Sequence, residues 1–140
     1  MNLTPVPAPL WRRFASAFYD ALLLFALWMS ATLLGSMALT LAGLPYSPGL
    51  FRGWLFLVGL AYFGACWVHG GQTLGMRVWR LTARRAGGAP LGWPTAALRY
   101  ALAYPAWLSV IGVLWSAIDA RKRALHEIAT GTELVYLPRA

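Results

Sequence analysis

Apolar residues run along the chain in three blocks, Phe14 to Leu44, Phe51 to Val68 and Ala96 to Ile118, separated by segments rich in glycine, proline or arginine. A helix needs about 20 apolar residues to cross a bilayer, so the first block must tilt or emerge, whereas the second fits. Between them "GLPYSPG" (Gly43 to Gly49) carries turn residues and no charge, which predicts a tight helical hairpin. The third block contains Pro105, which lacks an amide proton and disfavours helix at Tyr104. Divided there, each half is too short to span. The pattern thus predicts a segment broken near Pro105 that re-enters or lies on the interface and returns. A single span from Tyr100 to Ile118 is the simpler alternative.

The polar connections have patterns of their own. In the loop of residues 69–95, Met76 to Thr82 is β-prone and is followed by the turn sequence "AGGAP"; in the tail of residues 119–140, "TGTELVYLP" (Thr130 to Pro138) reads as a second strand. The two are expected to pair at the membrane surface. The expected architecture is an all-α polytopic membrane protein, one domain over residues 1–140, with three to four transmembrane or re-entrant helices and a small cytoplasmic β-element.

Composition agrees with the pattern. Hydrophobic residues make up 59% of the 140 and charged residues 11%, with 8 Trp, whereas soluble domains carry about a quarter charged residues. Twelve Lys and Arg against four Asp and Glu give a formal charge of +8. In a soluble chain that excess would suggest nucleic acid; beside membrane spans it predicts cytoplasmic loops meeting anionic lipids, and no nucleic-acid partner is expected. Arg12 and Arg13 precede the first block, and Arg77, Arg80, Arg84, Arg85 and Arg99 follow the second, while only Arg52 lies between Phe14 and Val68 beyond them. The N-terminus and the 69–95 loop are therefore expected in the cytoplasm and Pro45 outside. Arg121, Lys122 and Arg123, together with strand pairing, argue for a cytoplasmic tail. A signal peptide with its apolar region at Ala21 to Leu34 is the rival for the first block, but Asp20 at its start and the apolar sequence beyond it favour a retained anchor. The single cysteine, Cys66, excludes an intramolecular disulfide.

Asp20 is the residue that does not belong in a hydrocarbon-facing helix, where a carboxylate costs about 2.5 to 3.5 kcal/mol. Arg13 and Asp20 share a helical face but sit about 10 Å apart along the axis, so they are not expected to pair. Arg13 is expected to snorkel to lipid phosphates. Ser16 offers Asp20 only a hydroxyl, so a partner must come from another helix. Two polar stripes are candidates: Gly59, Tyr62, Cys66 and His69 on the second block, and Ser109, Gly112, Ser116 and Asp119 on the third. They are either packing seams or the wall of a polar conduit.

Sharper chemistry finds little support. Cys66, His69 and His126 lack the fixed spacing of a metal site, and His126-Glu127 lacks the second histidine of a zinc-protease helix. "GQTLG" (Gly71 to Gly75) has no Gly-Lys-Ser/Thr sequel and is expected to form a tight turn rather than a phosphate loop. No enzyme, metal or cofactor is expected.

Arg13 followed by Asp20, then "GQTLGMRV" (Gly71 to Val78), then "DARKRALHEIATGTELV" (Asp119 to Val135) together resemble the RDD family of bacterial membrane proteins. The family is named for an arginine and two aspartates, which correspond to Arg13, Asp20 and Asp119. Its motif positions here are Gly71, Gln72, Thr73, Gly75, His126, Glu127, Gly131 and Thr132. Met76 stands where the family usually has lysine, Glu127 where it has aspartate, and Thr130 where alanine is common. The resemblance implies a multi-pass protein of the bacterial inner membrane, with cation/proton exchange proposed for some members.

Two functions follow as expectations. In one, Asp20 and Asp119 bind a proton or small cation, with Arg13 and Arg123 modulating their charge. So few helices scarcely enclose a path, so transport would require a homo-oligomer or a partner membrane protein. In the other, the chain is a non-transporting scaffold or accessory subunit that binds a partner protein or anionic lipid.

Overall fold

The computed structural model describes residues 4–109, 111–119 and 123–138, excluding the side chains of residues 106–109 and Val113. Two long helices dominate it. Helix α1 covers Leu10–Ala42, and α2 covers Pro48–Gly70. Gly43 ends α1 in the left-handed region (φ 65°), where its amide closes on the Leu39 and Thr40 carbonyls, and Pro48 opens α2. The predicted hairpin is thus present. Two indoles tie it: Trp28 Nε1 donates to the Leu55 carbonyl at 3.0 Å, and Trp54 Nε1 to the Ala31 carbonyl at 3.1 Å.

Both helices are long and apolar enough to cross a membrane, and only 6% and 11% of their most apolar windows is buried inside the protein. A soluble core helix would hide those side chains; here Leu22, Phe25, Met29, Leu33 and Met37 face outward. At 33 residues, α1 is about 50 Å long and exceeds a hydrocarbon core of about 30 Å. Its first eleven residues, Leu10 to Asp20, hold three of its four buried side chains, Arg13, Ser16 and Asp20.

After Gly71 the chain forms a short helix, α3 (Leu74–Trp79), and a strand, β2 (Leu81–Arg85). The β-prone run Met76 to Thr82 is thus helical over its first half. Thr73 caps α3 by accepting from the Met76 amide at 3.2 Å, and this local bond outweighs strand propensity. Arg80, in the left-handed region at φ 57°, makes the switch from helix to strand. Strand β3 (Thr132–Tyr136) pairs antiparallel with β2, with Thr82 opposite Val135. A third strand, β1 (Val6–Pro7), pairs with the other edge of β3, giving the order β1-β3-β2. The tail pairs as expected, but its partner is Leu81–Arg85, which shares only Leu81 and Thr82 with the expected strand; β1 is a two-residue segment that leaves no such trace in the sequence.

Helix α4 (Trp93–Ser109) passes through Pro105 without ending, contrary to the break expected there. Pro105 supplies no amide to the Ala101 carbonyl, but packing against α2 holds the helix. Gly59 and Gly64 make that packing possible: a Cβ on Gly59 would lie 2.0 Å from the Tyr100 hydroxyl, and one on Gly64 2.7 Å from the Trp93 ring. Helix α4 is described to Ser109, and α5 (Ile111–Leu114) runs into a 3-10 turn at Trp115–Ala117. Helix α6 (Leu125–Thr130) then leads through Gly131 into β3. The Ser109 side chain, Arg121 and Lys122 lie outside the described residues.

Because the segment from α4 to α6 leaves β2 and returns to β3, it makes no net crossing. Among the described residues two helices, α1 and α2, are candidate spans. The N-terminal strand, the 69–95 segment and the tail share one end of the molecule, with a core of Ala8, Trp67, Met76, Leu81, Leu91, Ala96, Tyr100 and Leu134. Single reporter cysteines at Thr4 and Pro138, in a Cys66→Ala background, should therefore respond alike to a membrane-impermeant thiol reagent in intact cells. Labelling of one and not the other would refute this sheet.

Candidate functional site

Helix α1 buries Arg13, Ser16 and Asp20, one stripe at helical spacing, at the packed end of the molecule. Each end of the stripe meets a different partner. Asp20 Oδ2 accepts from the Thr73 hydroxyl at 2.5 Å and Oδ1 from the Gly75 amide at 3.0 Å. The aspartate thereby fastens α1 to the first turn of α3, where free amides favour an anion. Gly75 is required by this approach, since a Cβ would lie 2.4 Å from the Ser16 carbonyl oxygen. The preceding motif residues set the turn. Gly71 adopts φ 68° and accepts from the Ala83 amide at 2.7 Å, while the Gln72 side-chain amide donates to the Leu81 carbonyl at 2.8 Å. "GQTLG" does form the predicted turn, and the partner of Asp20 comes from it rather than from the stripes on α2 or the third block.

Arg13 does not snorkel. It is 4% exposed, and its guanidinium donates to Glu127 Oε1 at 2.8 Å and to the Ala8 carbonyl at 3.1 Å. Considered as an isolated helix end it would reach for lipid; the tail folding back gives it a carboxylate instead. Arg99, from α4, reaches the same Oε1 at 3.3 Å and the Thr132 hydroxyl at 2.7 Å, and lies 5.1 Å over the Trp67 ring. The other oxygen, Oε2, accepts from the Ala124 amide at 3.0 Å. One carboxylate thus joins α1, α4 and α6, in a place that is almost wholly buried. Arg99 was counted only among basic loop residues, although an arginine at the start of an apolar block carries the same signal as Asp20.

Electrostatics follow from that geometry. Burial alone would raise the Glu127 carboxyl, but the Arg99 and Arg13 charges and the Arg13 hydrogen bond outweigh it and hold its pKa below the usual carboxylate value. His126 is pushed down to about 3 by burial and by the Arg99 charge, so it is neutral at physiological pH.

The remaining candidates are dispersed. Asp119 accepts from the Arg123 amide at 3.0 Å and its Nε at 3.4 Å, closing a local loop, so the partners described for the two aspartates differ. Ser116 is buried in the 3-10 turn. Tyr62 accepts the Leu74 amide at 3.4 Å, Cys66 is a half-buried thiol, and His69 meets the edge of Trp93. Among the described residues no three potential ligands gather around a metal position, so Cys66, His69 and His126 form no such set. Gly131 turns the chain at φ 64° into Thr132. Met76, in the place of the family's lysine, is part of the core.

The model of the RDD family matches residues 7–131. This chain belongs to the RDD family. The match begins at β1 and ends at the turn before β3, so it includes both clusters. No curated protein and no solved structure matches the chain. In this RDD protein the signature arginine, the first signature aspartate and the motif residues Thr73, Gly75, Glu127 and Thr132 all make internal contacts at one end of the molecule.

Two predictions follow from the second cluster. Glu127→Gln should destabilise the protein by about 3 to 5 kcal/mol, read as a loss of melting temperature in detergent, because it leaves two buried arginines short of their counter-charge. An effect below about 1 kcal/mol would mean that the cluster is wet. The unfolded chain binds a proton on His126 near pH 6.5 and the folded chain only near 3, so stability should fall as pH drops from about 6.5. The slope approaches about 1.4 kcal/mol per pH unit. Glu127 adds its own loss only below about pH 4.5. His126→Gln should flatten the profile between these two values.

Proposed function

We propose that this RDD protein is a two-helix anchor of the bacterial inner membrane carrying a folded surface module, and that it works as a scaffold or accessory subunit and not as a transporter. One observation carries the reading: the signature charges Arg13 and Asp20 are engaged in internal contacts at the sheet end. Asp20 accepts from the Thr73 hydroxyl and the Gly75 amide, and Arg13 pairs with Glu127, as does Arg99. A translocation path needs polar groups along the span. Beyond Asp20 the hydroxyls of Ser30, Ser36 and Thr40 bond to their own helix carbonyls.

The module faces the cytoplasm in this reading. Arg12, Arg77, Arg80, Arg84 and Arg85 gather at the sheet end and Arg52 alone beside α2's start, as the positive-inside rule requires. That basic face meets anionic headgroups, at about 1 kcal/mol per basic residue near the surface. The outward apolar faces of α1 and α2 are available to lipid, to a second copy or to the helices of a partner membrane protein.

Proteoliposomes loaded with a pH-sensitive and a sodium-sensitive dye test the reading directly. The expected result is no flux above empty liposomes for the wild type. Asp20→Asn should lower the melting temperature, by the equivalent of about 1 to 3 kcal/mol for a disturbed buried hydrogen-bond set. Proton or cation flux by the wild type that Asp20→Asn abolishes, with the melting temperature unchanged, would establish transport instead.

A further inference from the structure

We propose that the cavity enclosed by α1, α2 and α4 is a binding site for one lipid with an anionic headgroup, its head on the Arg13–Glu127–Arg99 cluster and an acyl chain running up α1. The cavity measures about 330 Å³, within the range of about 300 to 1,000 Å³ usual for ligand sites. It goes beyond the anchoring role and rests on the reading of α1 and α2 as membrane spans.

Polarity is graded along the cavity in the way an amphiphile requires. On α1 its wall runs from Arg13 to Leu24, a rise of about 16 Å, close to half of a hydrocarbon core of about 30 Å. Arg13, Arg99 and Glu127 lie at the sheet end, Asp20 stands partway along the α1 wall with its carboxylate bonded to Thr73 and Gly75, and Leu24, Phe63 and Ala103 make the upper wall. A single leaflet presents the same order, headgroup first and chain inward. Small side chains at Ala17 and Ala21 leave the space open.

The floor prefers an anion with acceptor oxygens. Two guanidiniums share the one Glu127 carboxylate at the floor, while Asp20, the other carboxylate of the lining, is held by the Thr73 hydroxyl and the Gly75 amide. Trp67, Arg99 and His126 all line the cavity, are at least nine-tenths buried, and each carries a nitrogen (Nε1, Nε and Nδ1) with no hydrogen-bond partner. Only one other such nitrogen, Trp79 Nε1, occurs among the described residues. Buried donors without acceptors cost about 1 to 3 kcal/mol each, so the Trp67 Nε1 and Arg99 Nε donors beside one cavity favour an acceptor there, with His126 Nδ1 a further unpaired nitrogen. A phosphate headgroup provides several in one place.

Native mass spectrometry of the full chain in neutral detergent tests the site, by titration with dioleoylphosphatidylglycerol and, separately, dioleoylphosphatidylcholine. One saturable phosphatidylglycerol adduct is expected, about tenfold tighter than phosphatidylcholine. Ala103→Phe, which fills the upper wall and leaves the charged floor intact, should abolish that preference, while Ala38→Phe at the opposite end of the hairpin should retain it. Should Ala103→Phe fail to fold, Ala17→Leu blocks the facing wall and carries the same expectation. Equal adducts with both lipids overturn the proposal. So does a preference that survives cavity filling but disappears in an Arg80→Gln, Arg84→Gln, Arg85→Gln variant, which would assign the lipid to the exposed basic face.

Discussion

A carboxylate buried at the meeting point of three helices has to be neutralised, and in this protein Glu127 is neutralised by arginines from two of them, Arg13 of α1 and Arg99 of α4. Breaking such a cluster is costly because each member removed leaves an uncompensated charge in a place water does not reach. The apolar hairpin and the sheet end are therefore one structure: α1 cannot shift along its axis without parting Arg13 from Glu127 and Asp20 from the first turn of α3. Helices in lipid gain little from burying apolar surface against each other. Polar contacts at their ends are the natural means of fixing their register.

The two clusters divide that work. Asp20 holds α3, and with it β2, through Thr73 and Gly75. Glu127 holds α4 and α6, and Arg99 continues to Thr132 at the start of β3. The strands these clusters position then pair with each other and with β1, just ahead of α1. The resulting circuit leaves a cavity with a charged floor and an apolar wall. Its graded polarity is a consequence of placing such a cluster at the end of a membrane span.

Family membership and geometry illuminate each other here. The signature positions stand as charges out of place in apolar sequence, and their presence is equally compatible with moving ions and with holding a fold. Asp20 accepts from an amide and a hydroxyl within the fold, whereas the lining of the neighbouring cavity retains nitrogens with no protein partner.

From sequence, the hairpin, the two strands after it and the out-of-place charges Arg13 and Asp20 could all be read, because each leaves a local trace: an apolar run of spanning length, turn residues, alternation, or a charge that hydrocarbon would reject. What they touch could not be read. Arg13 and Glu127 are 114 positions apart and Asp20 and Thr73 are 53 apart, and no local pattern records which distant group completes a charge. The same limit explains the errors. Pro105 marks a helix end by propensity, yet packing of Tyr100 and Trp93 over Gly59 and Gly64 carries α4 past it. An apolar residue facing lipid and one facing a protein core look alike in sequence, so the first block seemed to be membrane from Phe14 onward. Only the tertiary structure decides where protein contact ends and lipid contact begins, because that boundary is set by what folds back against the helix.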